Sequence, residues 1–175
     1  MSFVQSVRSL HTRLDSFVGA MPACIALLAL RLALAIPFWR SGQTKWDGFL
    51  NLSAGARYLF EEEFKLHLLG QTYSYPAPLI VAHLTGIAEI VLPILLVLGL
   101  FTRYAAVAIL AMTIVIQVTV PDGLINFHLP WAAMALALMH YGGGLLSLDR
   151  LIARYRPGPV SIDAKAEPSQ PAERA

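Results

Sequence analysis

The stretch Leu79–Arg103, LIVAHLTGIAEIVLPILLVLGLFTR, decides the fold class of this chain. It is predominantly apolar from Leu79 to Leu100, carries one acid at its middle, Glu89, and ends at a short GLFTR sequence. A helix of that length is about 33 Å long, which is enough to cross a bilayer. The stretch therefore predicts a membrane-spanning helix with a carboxyl group near its centre.

The composition of the whole chain agrees with that reading. Hydrophobic residues make up 57% of the 175 positions and charged residues 14%, whereas ordinary soluble domains have about 25% charged residues. Such a chain cannot cover its surface with polar groups, so the apolar excess must face lipid. The net charge of +2, without a basic stripe, excludes nucleic acid as a partner.

Three further apolar runs accompany the first one. The four predicted spans are residues 22–40, 79–100, 104–120 and 127–146. Helices are the structure that lets such segments satisfy their own backbone groups in lipid. The sequence therefore predicts an all-α fold, a polytopic membrane four-helix bundle over residues 21–150, with the lipid bilayer as its main partner.

Amphipathic segments lie outside the spans. Apolar residues recur at helical spacing in residues 1–20, which predicts an N-terminal helix in the membrane interface. Apolar residues also repeat every fourth position in residues 52–69, which predicts a second interfacial helix in the first loop. Residues 151–175, rich in Pro, Ala and charge, are expected to be a disordered tail.

The distribution of Arg and Lys predicts the orientation. With the N terminus inside, the inner segments contain Arg8, Arg13, Arg103, Arg150, Arg154, Arg156, Lys165 and Arg174, and the outer segments contain Lys45, Arg57 and Lys65. Cytoplasmic loops of membrane proteins have an excess of these residues. We therefore expect a multi-pass protein of a bacterial-type cytoplasmic (inner) membrane with both termini in the cytoplasm.

Two ionisable residues inside the spans are the first candidate site. Glu89 lies in the second span, and Arg31 lies near the centre of the first span at a matching depth. An ionisable residue within a span is costly and is by default a functional hypothesis, although a buried Arg–Glu pair can also serve only to dock two helices. We predict that Arg31 and Glu89 form a buried charge pair, with either role open.

A second candidate is a polar cluster toward the outer side. Its members are His83, Gln117, Asp122 and His128, which the predicted topology brings to a similar depth. A metal or quinone site formed by His83, Asp122 and His128 is one interpretation. Because no helix carries paired His or Glu ligands at metal-binding spacing, hydrogen-bonded interfacial histidines are the simpler interpretation.

Motifs distributed along the chain resemble those of the DoxX family of small four-helix membrane proteins. The matching positions are Arg31, Phe38, Trp39, Ser41, Gly42, Lys45, Glu89, Leu98, Gly99, Leu100, Phe101, Thr102, Arg103, Gly142, Gly144, Ser147, Leu148 and Asp149. The resemblance covers roughly residues 24–150. The LFxxEF sequence of residues 59–64 also resembles a subgroup encoded near iron-dependent peptide-modifying enzymes and small metal-responsive peptides.

The resemblance implies a membrane redox or accessory role, because the family is named after a subunit of a terminal quinol oxidase. We therefore expect an accessory or quinone-interacting subunit of an oxidoreductase system, with a membrane or redox protein as partner, rather than a stand-alone enzyme. The chain carries no haem or metal motif, so a quinone is the cofactor to consider. The alternatives are a non-catalytic anchor or assembly partner, including one for metal stress or metallopeptides, and transport of a small solute or protons. A homo-oligomer is also compatible.

Overall fold

The fold, in a computed structural model, is described over residues 3–19 and 21–155 and is mostly helical. Its helices are α1 (Phe3–Gly19), α2 (Ala23–Gln43), α3 (Ala54–Tyr58), α4 (Pro78–Leu98), α5 (Thr102–Thr119), α6 (Leu129–Tyr141) and α7 (Leu148–Tyr155). Within the described residues, α2, α4 and α5 are long and apolar enough to cross a membrane. These three helices coincide with the first three predicted spans.

Four helices pack side by side around one apolar core. Helix α2 contacts α4, α4 contacts α5, α5 contacts α6, and α6 contacts α2, which closes the ring. The fully buried side chains of that core include Leu34, Phe38, Leu96, Ile109 and Leu138. Many large apolar side chains on the outer faces of these helices are exposed instead, as expected for helices that face lipid.

The fourth predicted span, residues 127–146, is shorter in the structure. A π-helical turn, Leu124–His128, leads into α6, and α6 ends at Tyr141. Gly142 takes a φ of +73°, a conformation that glycine adopts without strain and that ends the helix. Residues 142–146 therefore lie beyond the end of α6, so the helix does not extend to residue 146, and the span over 127–146 stays a prediction.

The first loop also differs from the prediction of one amphipathic helix over residues 52–69. Helix α3 passes into a π-helical turn at Leu59–Glu63, and the chain then forms an antiparallel hairpin of β1 (Lys65–Leu68) and β2 (Gln71–Ser74). The reason lies at Leu69 and Gly70, which both have positive φ, at +51° and +78°. A two-residue connection of that kind suits the twist of a hairpin. Residues 3–19 and 21–155 are therefore mostly helical and contain one small sheet.

The prediction of a helix at the N-terminal end agrees with the structure, and the prediction of disorder at the C-terminal end does not hold for residues 151–155. The predicted N-terminal helix is present as α1, and nothing in the structure tests its position in the interface. Residues 151–155, expected to be disordered, belong to α7, which has Asp149 in its first turn and Arg154 in its last. Those charges complement the helix dipole. The remainder of the predicted tail lies outside the described residues.

Candidate functional site

Glu89 is buried on α4 and forms an ion pair with Lys45. The distance from Lys45 Nζ to Glu89 Oε2 is 2.5 Å, and the same Nζ donates a hydrogen bond to Ser41 Oγ at 3.0 Å. Glu89 is 3% exposed and Lys45 is 9% exposed, so water has little access to either charge. Opposite charges at low exposure interact far more strongly than a surface pair, and they also carry a large desolvation cost.

A glycine allows the two helices to approach closely beside the ion pair. A Cβ atom on Gly42 would lie 2.9 Å from the backbone C and O atoms of Glu89, which is closer than real Cβ contacts. The α2 backbone therefore lies directly against the α4 backbone at the level of Glu89. This contact brings the residues that follow Gly42, including Lys45, close to the carboxylate.

The loop after α2 holds Lys45 in place. Ser53 N donates to Lys45 O at 2.8 Å, and Ser53 Oγ donates to Thr44 O at 3.0 Å. Trp46 next to it packs over Gly86 of α4, where a Cβ atom would lie 2.6 Å from its ring. The lysine therefore follows a fixed backbone rather than a free loop, which limits the entropy that the ion pair must overcome.

The ion pair lies in the wall of a cavity of about 570 Å³. The cavity lies among α2, α4, α5 and the first loop, and its lining is mostly apolar. Its apolar walls include Phe38, Phe60, Phe64, Met112, Val115 and Trp131, and its polar groups include Ser41, Lys45, Glu89 and Thr85. A mostly apolar cavity of this size with a few convergent polar groups is typical of a small-molecule site.

The first loop lines the cavity at the end away from the α4–α5 turn. Its π-helical turn contacts α4, and its strand β1 contacts α5. His67 Nδ1 lies 3.3 Å from Val118 O, and the hydroxyls of Tyr75 and Thr119 are 2.5 Å apart. The loop therefore joins the open ends of α4 and α5, and its segment from Phe60 to Tyr75 supplies part of the lining.

Arg31 does not pair with Glu89, contrary to the prediction. Its Nη1 donates to Leu96 O at 3.3 Å and Val97 O at 3.2 Å, and its Nη2 donates to Leu146 O at 2.5 Å. Leu96 and Val97 lie in the last turn of α4 and Leu146 lies in the turn after α6, and a guanidinium with five N–H donors can bind several carbonyl groups at once. Arg31 thus joins the end of α4 to the turn after α6.

Asp149 binds the start of α5 at the same end of the molecule. Its Oδ1 accepts from Phe101 N at 2.7 Å, and its Oδ2 accepts from Thr102 N at 2.9 Å. Asp149 N in turn donates to Gly99 O at 2.9 Å. Four motif positions that are far apart in the sequence therefore meet at this end of the molecule: Arg31, Gly99, Thr102 and Asp149.

Asp149→Ala is expected to lower the free energy of unfolding by about 1–2 kcal/mol, because two backbone N–H groups of α5 lose their acceptor. Thermal unfolding in detergent measures the effect. Asp47→Ala, at an exposed loop aspartate without a hydrogen bond to its side chain in the described part of the chain, is the control. Equal melting of the two variants would contradict the capping role.

The outer polar cluster is assembled only in part. His128 Nδ1 and Gln117 Oε1 are 2.7 Å apart, and Gln117 Nε2 donates to Pro121 O at 3.1 Å. His83 contacts Leu79 O in its own helix, and Asp122 is exposed. Among residues 3–19 and 21–155, no three His, Cys, Asp or Glu side chains lie close enough to hold a metal ion. The structure therefore does not assemble the metal site considered for His83, Asp122 and His128.

Sequence reasoning missed Lys45 as the partner of Glu89. The Arg and Lys distribution places Lys45 among the charges of the outer loop. Lys45 nevertheless follows Ser41 by four residues, so it lies on the same side as Ser41 just beyond the end of α2. This four-residue spacing is the feature of the sequence that could have indicated a buried Lys45. The cavity cannot be predicted from a single sequence, because its size and position depend on how the helices pack against one another.

The fold and these buried polar groups define a small helical membrane protein with a cavity among its helices. The DoxX family model matches residues 26–122, and the chain belongs to the DoxX family. A relative from Haemophilus influenzae, described as an uncharacterized protein, is 31% identical over 148 residues, which cover 76% of this chain and 87% of that protein. No solved structure matches the chain.

Proposed function

We propose that the chain binds a membrane-soluble quinone, or a lipophile with a similar carbonyl-bearing ring, in the cavity beside Lys45 and Glu89. The observation that carries the proposal is a buried ion pair in the wall of a 570 Å³ apolar cavity. The apolar walls suit a ring and an isoprenoid chain, and the ammonium group of Lys45 suits a carbonyl oxygen. The protein then acts as an accessory subunit that exchanges electrons through a redox partner.

The proposed setting is a four-helix bundle in the cytoplasmic membrane with both termini inside. Helices α2, α4 and α5 span the bilayer, and α6 with the turn before it forms the shorter fourth element. In this orientation the α4–α5 turn and Asp149 face the cytoplasm, and the first loop faces outward. The cavity then opens toward the outer half of the membrane, where a lipophile reaches it from the bilayer.

A quinone titration of the purified protein in lipid nanodiscs tests the proposal. Wild type is expected to bind a short-chain quinone analogue, and Lys45→Met is expected to bind it about 10–100-fold more weakly, because the charged hydrogen-bond donor is lost. Quenching of tryptophan fluorescence is a suitable measurement, because Trp131 lines the cavity and Trp39 and Trp46 do not. Glu62→Gln, at an exposed acid outside the cavity wall, is the control.

A second variant separates loss of binding from loss of folding. Ala111 lines the cavity and bears no charge, so Ala111→Phe is expected to fill part of the cavity and weaken binding while the ion pair stays intact. No binding by wild type, or equal binding by wild type and both cavity variants, would contradict the quinone site. The chain would then be better described as an anchor or assembly partner.

A further inference from the structure

A second cavity lies at the opposite end of the molecule, around the start of α5. It has a volume of about 690 Å³ and is bounded by the start of α2, the first turn of α5, the Gly142–Gly144 turn and α7. It shares no lining residue with the cavity beside Lys45 and Glu89. It therefore needs a separate explanation.

The lining of this second cavity combines apolar surface with cationic side chains. Its large side chains include Phe101, Tyr104, Tyr141 and Leu145, each of which is more than half exposed. Arg103 and Arg150 also line it, and both are exposed. Neither guanidinium is in an ion pair within the described part of the chain. Exposed apolar surface of this kind marks an interaction site, and the cationic charges beside it favour an anionic partner.

The acid in this region does not neutralise the two arginines. Asp149 lines the cavity, but both of its carboxylate oxygens accept hydrogen bonds from the backbone of α5, at 2.7 Å and 2.9 Å. In the same wall, Thr102 is fully buried, and its hydroxyl has no hydrogen-bond partner among the described residues. The cavity thus offers the cationic charges of Arg103 and Arg150 together with apolar walls, while the Thr102 hydroxyl is buried behind its surface.

We infer that this second cavity binds an anionic phospholipid, with its phosphate group at Arg103 and Arg150 and the first part of an acyl chain along Phe101 and Leu145. The charges attract the phosphate, and the exposed apolar side chains match the chain, so the site fits a lipid better than a free anion. In the proposed orientation it faces the cytoplasmic leaflet, where anionic lipids attract Arg and Lys. The lipid would link α2, α5 and α7 at one interface.

Native mass spectrometry of the full chain in detergent, with phosphatidylglycerol or phosphatidylcholine added, tests the inference. Phosphatidylglycerol is expected to bind at least tenfold more tightly than phosphatidylcholine. Arg103→Gln and Arg150→Gln are each expected to reduce that affinity about fivefold, which is the usual effect of one basic residue near an anionic membrane surface. Thermal unfolding in phosphatidylcholine alone verifies that both variants fold.

Arg154→Gln is the matched control, because Arg154 lies on α7 but does not line the cavity. An equal loss of affinity in this control would attribute the preference to general surface charge and overturn the site. Equal affinity for the two lipids would overturn it as well. Inorganic phosphate is a further arm: if phosphate alone competes fully with phosphatidylglycerol at similar concentration, the occupant is a soluble phosphate compound and not a lipid. None of these results depends on quinone binding.

Discussion

Lys45→Met is expected to lower the free energy of unfolding by about 3–5 kcal/mol, because it leaves the carboxylate of Glu89 buried without its charged partner. Glu89 is 3% exposed, so water solvates its carboxylate far less than it would at the protein surface. The hydrogen bond from Lys45 Nζ to Ser41 Oγ is lost at the same time. The loss is measured by thermal or denaturant unfolding in detergent.

The double variant Lys45→Met with Glu89→Leu distinguishes an ion pair from general packing. It removes both charges and replaces them with apolar groups of similar size, and we expect it to recover most of the stability that Lys45→Met loses. Lys65→Met is the control, because Lys65 is only partly buried and donates a single hydrogen bond to Glu61 O at 3.2 Å. Identical melting of the single and the double variant would show that the charges are not coupled.

The partner of Glu89 illustrates which information one sequence lacks. Matching depth in two spans suggested Arg31, yet depth leaves the rotation of each helix undetermined. The contact between Gly42 and Glu89 sets that rotation, and Arg31 then lies against the end of α4, where carbonyl groups require donors. Both charges stand out within apolar runs of the sequence, but their pairing depends on packing that spacing does not specify.

The apolar runs were the most predictable part of the fold. Membrane crossing needs a continuous apolar segment of defined length, so α2, α4 and α5 are visible in composition alone. Backbone conformation at single residues was harder to predict. Leu69 and Gly70 convert the end of a helical pattern into a hairpin, and Gly142 ends α6 before the apolar run ends. In both places the backbone conformation of one or two residues ends a helix that the sequence pattern, a four-residue repeat in the first case and an apolar run in the second, predicts to continue.

The hydrogen-bonded cluster at the start of α5 was visible only as separate motifs. Gly99, Gly143 and Ser147 look like ordinary small residues in the sequence, but each lies where a neighbour leaves no room. A Cβ atom on Gly143 would lie 2.7 Å from both Ser147 Cβ and Thr102 Oγ1. The resemblance to the DoxX family includes Gly99 and Ser147 but not Gly143, and the structure gives a physical reason for all three: the turns after α4 and α6 pack directly against each other.

Gly99→Ala is expected to be among the most damaging single substitutions, with a loss of about 2–5 kcal/mol in the free energy of unfolding. Gly99 has a φ of +67°, where a side chain adds about 1–2 kcal/mol of strain. A Cβ atom there would lie 2.5 Å from Ser147 Cβ and 2.9 Å from Ser147 Cα, and closer still to Arg31 Nη1. Such overpacking typically costs a further 1–3 kcal/mol or so.

Two comparison variants separate backbone strain from crowding at Gly99. All three variants are measured by thermal unfolding and by the folded fraction in size-exclusion chromatography. Gly55→Ala is the control, because Gly55 lies in α3 with no atom within 4 Å of the added Cβ, and the change there should be neutral or stabilising by up to about 1 kcal/mol. Gly99→Asn separates strain from crowding, since Asn tolerates the left-handed conformation but still carries a Cβ atom. We expect Asn to be as damaging as Ala. A mild effect of Gly99→Asn would mean that backbone strain dominates and that the two turns can move apart, contrary to the close packing described here.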